Sequence, residues 1–165
     1  MSLVIYKRII SDAFDSRNWN YSAKDLSEEK TVFSINFSSE EYGSVRCKIY
    51  IFDSGICDME AVLPIKCNQN QYMELSYYLA KYNCQKRFAT LRLDVDDGEI
   101  INGYSFVFNQ ATTPKDFLSR FTGTKDIDDS VMDEIIAICK KDTPIEKVAV
   151  DTTTSEKNGK HKLSL

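Results

Sequence analysis

The stretch that most limits the possible folds is residues 87–108. Two apolar-rich runs, 88–95 and 100–108, flank Asp96-Asp97-Gly98-Glu99. Asp-Gly between such runs is a strong hairpin signal, because a two-residue type I′ turn needs positive φ at both central positions. With Asp97-Gly98 as that loop, Val95 faces Ile100, Leu93 faces Asn102, Leu91 faces Tyr104 and Ala89 faces Phe106. One side of the ribbon is then mostly apolar. The other carries Phe88, Thr90, Arg92, Asp94, Ile101, Ser105 and Val107. A three-residue loop sets Leu91 against Gly103 and Ala89 against Ser105, a poorer core, so the two-residue register is expected.

Upstream, three segments alternate with the period of a half-buried strand. Residues 31–38 place Phe33, Ile35 and Phe37 on one side. Residues 45–52 place Val45, Cys47, Ile49 and Ile51 against Arg46, Lys48, Tyr50 and Phe52. From 57 to Pro64, Cys57, Met59, Ala61 and Leu63 alternate with Asp58, Glu60 and Val62. Short segments holding Gly43 and Asp53-Ser54-Gly55 join them, which predicts an antiparallel meander. Residues 22–30 read as a loop or a short helical turn, with Trp19 and Tyr21 as a possible strand start.

Helical spacing appears in residues 2–16 through Leu3, Tyr6, Ile9, Ile10, Ala13 and Phe14. Residues 68–82 form the expected central helix, Asn68 and Gln71 resembling a capping box. Tyr72, Leu75, Tyr78, Leu79 and Tyr82 make one stripe of it; Met73, Tyr77, Ala80 and Cys84 make a second. A helix with one buried face needs only the first. The second is either extra core or a subunit contact, and Met73, Tyr77 and Ala80 are its candidate dimer residues. Thr113-Pro114-Lys115-Asp116 opens a short helix that Gly123 is expected to stop. A last helix starts at Asp128 or Asp129, buries Val131, Ile135, Ile138 and Cys139, and ends before Pro144. The order α-β-β-β-α-β-β-α, about five strands plus a helical turn near 114–121, predicts one α+β domain over residues 1–148. Residues 149–165 are polar and aperiodic and read as a disordered tail.

That order, with its motifs, resembles the YbjN-type family and, more distantly, the type III secretion chaperone-like fold. The pieces that carry the likeness are Ala61-Val62-Leu63-Pro64, the helix Glu74-Leu75-Ser76-Tyr77-Tyr78-Leu79-Ala80-Lys81-Tyr82-Asn83, and Phe88-Ala89-Thr90-Leu91-Arg92-Leu93-Asp94 with Asp97-Gly98-Glu99-Ile100. The resemblance spans about residues 2–142, and its motifs are structural. It implies a twisted antiparallel sheet with helices against it, a homodimer, and no catalytic residues to carry over. Secretion chaperones of this fold hold extended client segments; YbjN-type proteins are described as candidate sensory-transduction regulators.

The residues themselves offer little reactive chemistry. The one histidine of the sequence, His161, falls in the expected tail, so triad mechanisms lack a positioned imidazole. The five cysteines lie ten or more residues apart, which disfavours zinc, and they read as reduced thiols. Counting from Asp94, an EF-hand would need glycine sixth and glutamate twelfth; glycine is fifth and Ser105 twelfth. A net charge of −4 argues against a broad nucleic-acid footprint. The 165 residues contain no apolar run of the ~18 that span a bilayer. The expectation is a cytoplasmic, non-enzymatic interaction module, without cofactor or metal, that binds a protein partner or client segment but neither nucleic acid nor membrane. Its partner surface is expected at Tyr50, Phe52, Val62, Phe88 and Val107, ringed by Lys48, Asp58, Glu60, Arg92 and Asp94, unless another helix or the tail covers that face. Edge-strand addition is a second docking mode. The alternative is a regulator binding a small ligand between sheet and helices, with Asn102 as the buried polar mark.

Overall fold

The computed structural model describes residues 2–141. The expected tail from 149, Pro144 and His161 lie outside the described residues. The elements are α1 (Leu3–Asp15), β1 (Ser22–Ser27), β2 (Lys30–Ser39), β3 (Gly43–Phe52), β4 (Ile56–Lys66), a 3₁₀ turn (Gln69–Gln71), α2 (Tyr72–Asn83), β5 (Thr90–Leu93), β6 (Glu99–Val107), α3 (Pro114–Lys125) and α4 (Asp129–Cys139). The fold is α+β. Six strands form one antiparallel sheet in the order β1-β2-β3-β4-β6-β5.

Alternation in sequence becomes alternation in space. Phe33 pairs with Ile49, Ile49 with Met59, and Met59 with Tyr104. Ile35, Cys47, Ala61, Asn102 and Leu91 make the next row on the same side. All four helices pack onto this side and build two adjoining cores. In the first, Phe14 of α1 meets Phe117 and Phe121 of α3 at 5.6 and 5.2 Å between ring centroids, and Phe33 of β2 at 6.4 Å. In the second, Leu75 and Leu79 of α2 and Val131, Ile135 and Ile138 of α4 enclose Leu63, Leu91 and Ile100. Strand β4 supplies residues to both cores. The result is two layers, helices over sheet, with the second sheet face left bare by the described residues.

Several expectations need correction. Residues 22–27 are a strand, not a loop: β1 pairs with β2 from Ser22↔Ser34 to Ser27↔Lys30. Its six residues are all exposed, so no apolar alternation could mark it. It is held instead by Asp25, which accepts from Lys7 Nζ of α1 at 2.7 Å and from Thr31 Oγ1 at 2.6 Å. The Lys7 contact, then the Thr31 contact, draws the Asp25 carboxyl below its ordinary value. The α3 segment is a full helix of 12 residues; Gly123 sits inside it and does not end it. The expected capping box at Asn68 does not form. Gln71 is buried, and its Nε2 donates to the carbonyl of Lys141 at 2.6 Å beyond the end of α4.

The 87–108 hairpin is present with a longer loop. Leu93 pairs with Ile100 and Leu91 with Asn102, two residues displaced from the expected register. A shift of two keeps the paired side chains on their expected faces, so Leu91 and Ile100 are buried as expected, whereas Val95 falls in the loop and is 63% exposed. Within the loop, Gly98 has φ +78°, whereas Asp97 does not reach positive φ. The aspartates serve as acceptors instead: Asp94 Oδ1 takes the Asp96 N–H at 3.0 Å and Asp97 Oδ1 the Glu99 N–H at 2.9 Å. Gly98 N–H closes the loop onto the Asp94 carbonyl at 2.8 Å.

Candidate functional site

On the bare sheet face, β3 and β4 run side by side with Tyr50 opposite Asp58 and Lys48 opposite Glu60. On β6, Gly103 lies opposite Glu60 and contributes no side chain. That gap is filled by Arg92 of β5, whose Nη1 would stand only 2.4 Å from a Cβ at position 103. There Arg92 forms an ion pair with Glu60. Next to them the chain between α2 and β5 lines one side of the same space. Ala89 has φ +22°, a conformation that L residues avoid at a cost of about 1–3 kcal/mol. The adjacent Phe88 is 69% exposed, its ring edge-on to Tyr104 at 6.0 Å.

These features enclose an open cleft of about 470 Å³. Tyr50, Phe52 and Phe88 are among its lining residues, with Asp58, Glu60 and Arg92. Lys30 lies over the Tyr50 and Phe52 rings at 4.7 and 4.8 Å, a cation–π arrangement that pins both aromatics. Arg87 stands at the rim, exposed. Elsewhere on this face Arg46 binds Glu99 at 2.6 Å, and Lys66 binds Glu99 at 3.4 Å and Asp97 at 3.1 Å. The Arg46 contact chiefly, with Lys66 behind it, holds the Glu99 carboxyl below its usual range.

Of the expected partner surface, three residues meet in this cleft: Tyr50, Phe52 and Phe88. Val62 lies between Arg46 and Ile101 in the ladder, is only 6% exposed and does not line the cleft. Val107 is 60% exposed at the end of β6 and does not line the cleft. Of the expected rim, Lys48 stands opposite the lining residue Glu60 but does not itself line the cleft, and Asp94 belongs to the hairpin loop. Sequence reasoning did not single out Lys30 and Arg87. Lys30 opens β2 one residue before the alternating segment 31–38, and Arg87 precedes the strand pattern altogether.

The second α2 stripe is not extra core. Met73 is 88% and Tyr77 75% exposed, and Ala80 is exposed beside them. Edge pairing at β5 is obstructed. Asn83, the last residue of α2, donates Nδ2 to the Leu91 carbonyl at 2.8 Å and accepts the Leu91 N–H at 3.0 Å. Its amide thereby stands where a neighbouring strand would. Asn102 is 5% exposed and donates to the Thr124 carbonyl at 2.7 Å, while its Oδ1 has no partner among the described residues. A second cleft, about 300 Å³, lies between Phe88-Ala89 and α3 and is lined by Tyr104, Arg120, Gly123 and Thr124. Among the described residues, no three carboxylate, thiol or imidazole groups are placed to chelate a metal ion. No helix among them is long and apolar enough to cross a membrane.

No protein-family model and no curated protein sequence matches this chain. Among solved structures it is similar to YbjN from E. coli, described there as a candidate transcription regulator. The TM-score is 0.53 and the identity 13%, over 82% of this chain and 92% of that one. At that identity the likeness establishes a YbjN-like fold, as the sequence resemblance implied, and leaves function to the site itself.

Proposed function

We propose that the protein is a non-enzymatic interaction module that holds an extended partner segment on the bare face of its sheet. The observation that carries this reading is the one-sided packing: four helices share one face, and an aromatic cleft with a charged rim lies open on the other. Apolar rings inside a polar rim are the composition of a protein-binding surface. The YbjN-like fold, in a structure described as a regulator, is compatible with such a role. In this reading the protein is a cytoplasmic homodimer that pairs through Met73, Tyr77 and Ala80 of α2, leaving the cleft free.

A photoreactive phenylalanine analogue at position 88 tests the reading in native cells. The expected result is a discrete cross-linked partner at 88 that is missing when the analogue replaces Lys115, which is exposed on the helical layer. Links only to the protein's own residues 142–165, or the same products from both positions, would overturn it.

A second reading rests on Asn102. A buried acceptor left unpaired costs about 1–3 kcal/mol, and the apolar cleft against α3 lies beside Thr124, to which Asn102 is bound. A regulator that takes a small ligand there would show a raised melting temperature in a metabolite screen. Loss of that shift in Thr124→Leu, with the Phe88 cross-link unaffected, would favour this reading over the first.

A further inference from the structure

The charges around the cleft are distributed against the overall balance of the chain. The protein carries a net charge of −4. Yet the cleft is lined by four cations, Lys30, Lys86, Arg87 and Arg92, and by two carboxylates, Asp58 and Glu60. Internal pairing removes some of these. Arg92 and Glu60 neutralise one another. Lys86 is drawn toward Asp128 at 3.4 Å and over the Tyr82 ring at 4.7 Å. Lys30 and Arg87 remain, and among the described residues neither has a carboxylate partner. Just outside the cleft Lys48 is in the same position. Three cations without a carboxylate partner among the described residues, Lys30, Lys48 and Arg87, thus lie in or beside the exposed aromatic groove of an acidic protein.

Resting on the docking reading above, we infer that the segment held in this cleft is acidic: an extended peptide whose carboxylates meet Lys30 and Arg87 and whose apolar side chains lie against Tyr50, Phe52 and Phe88. The remaining chemistry selects among anionic partners. Among the described residues Asp58 has no ion-pair partner, and it faces the same space. A nucleic-acid strand, with a negative charge at each phosphate, is repelled by that carboxylate. A peptide instead supplies backbone N–H groups that Asp58, Thr90 and Ser105 can accept. Alternating side chains of an extended chain point to opposite sides, so acidic residues can reach the rim while apolar ones reach the rings. A second copy of this face is a poor occupant, since it would set Lys30, Lys48 and Arg87 against their own kind. Like charges facing across an interface disfavour a pairing by several kcal/mol.

The test uses the full chain and a fluorescein-labelled peptide of about ten residues alternating Glu with Leu or Phe, the length of an extended strand in such a groove. A matched peptide with Lys for Glu and an oligothymidylate strand complete the set. Fluorescence anisotropy should show saturable binding of the acidic peptide, weakened several-fold between about 50 and 200 mM salt, as screening requires. Lys30→Glu with Arg87→Glu should weaken it at least about tenfold and transfer preference to the basic peptide. Arg87→Glu alone alters an exposed side chain and should weaken binding without changing the melting temperature. Equal binding of both peptides, tighter binding of the oligonucleotide, or acidic-peptide affinity unchanged by the charge reversals would overturn the inference. So would a partner cross-linked at position 88 whose affinity ignores both reversals, although the docking reading itself would then stand.

Discussion

Single residues carry much of the specification of this fold. Gly98 combines φ +78° with a close approach: a Cβ there would lie 2.4 Å from the Cys67 carbonyl oxygen. That approach allows the Cys67 N–H to reach the Gly98 carbonyl at 2.9 Å and join the end of β4 to the hairpin loop. Gly98→Ala should therefore cost more than the ~1–2 kcal/mol of a left-handed residue alone, read as a lower urea midpoint. The cysteines divide just as sharply. Cys84 is exposed, and the other four are buried. Burial pushes the thiols of Cys47 and Cys139 up to about 12 from an ordinary 9.0. Native protein should label with a thiol reagent near neutral pH at Cys84 alone. The sign of the linkage follows. Protons held by folded thiols and released by unfolded ones make stability complete below pH 9 and steadily lost as pH rises toward 12. Chemical denaturation across that range should show the decline, and Cys47→Ala should flatten part of it.

At the scale of elements, legibility followed burial. Helix α1 was readable because Tyr6, Ile9, Ile10, Ala13 and Phe14 are all buried at helical spacing. Strands β2 to β4 were readable because one face of each enters a core. β1 was not, since its stability comes from Asp25 and from pairing with β2, neither of which has a periodic signature. The hairpin register slipped because side-chain parity is blind to a shift of two, and because Asx-type bonds from Asp94 and Asp97 favoured a longer loop. The cleft was half legible for a similar reason. Tyr50 and Phe52 follow from alternation, but the placement of Phe88 depends on the backbone at Ala89. Phe14→Ala should cost about 3–5 kcal/mol, because its ring joins α1, α3 and β2 and no neighbour can fill the space. Thermal unfolding would check this, with Val4→Ala, which alters an exposed side chain, as the neutral comparison.

The whole molecule has two surfaces of different character. The helical layer bears the exposed α2 stripe, and the bare sheet face bears the cleft. If α2 pairs with its symmetry mate, light scattering should give twice the chain mass of 18.9 kDa. Met73→Asp with Tyr77→Asp should return it to a single chain while leaving the circular dichroism unchanged. A mass of one chain for the unaltered protein would assign the stripe to another role. Because the two surfaces face apart, loss of the dimer should leave anisotropy of the acidic peptide unaltered, which separates assembly from docking.

The amide clasp of Asn83 on Leu91 gives the sheet unequal margins. Through β5 the ladder is already closed by its own helix, whereas β1, short and polar, is bordered by solvent. Runaway stacking of sheets between molecules, the first step toward fibrils, should then begin at β1 or along residues 104–107 of β6, which runs past β5. Asn83→Ala would open the other end, and the variant's liability would appear as thioflavin-positive aggregate well before any loss of fold.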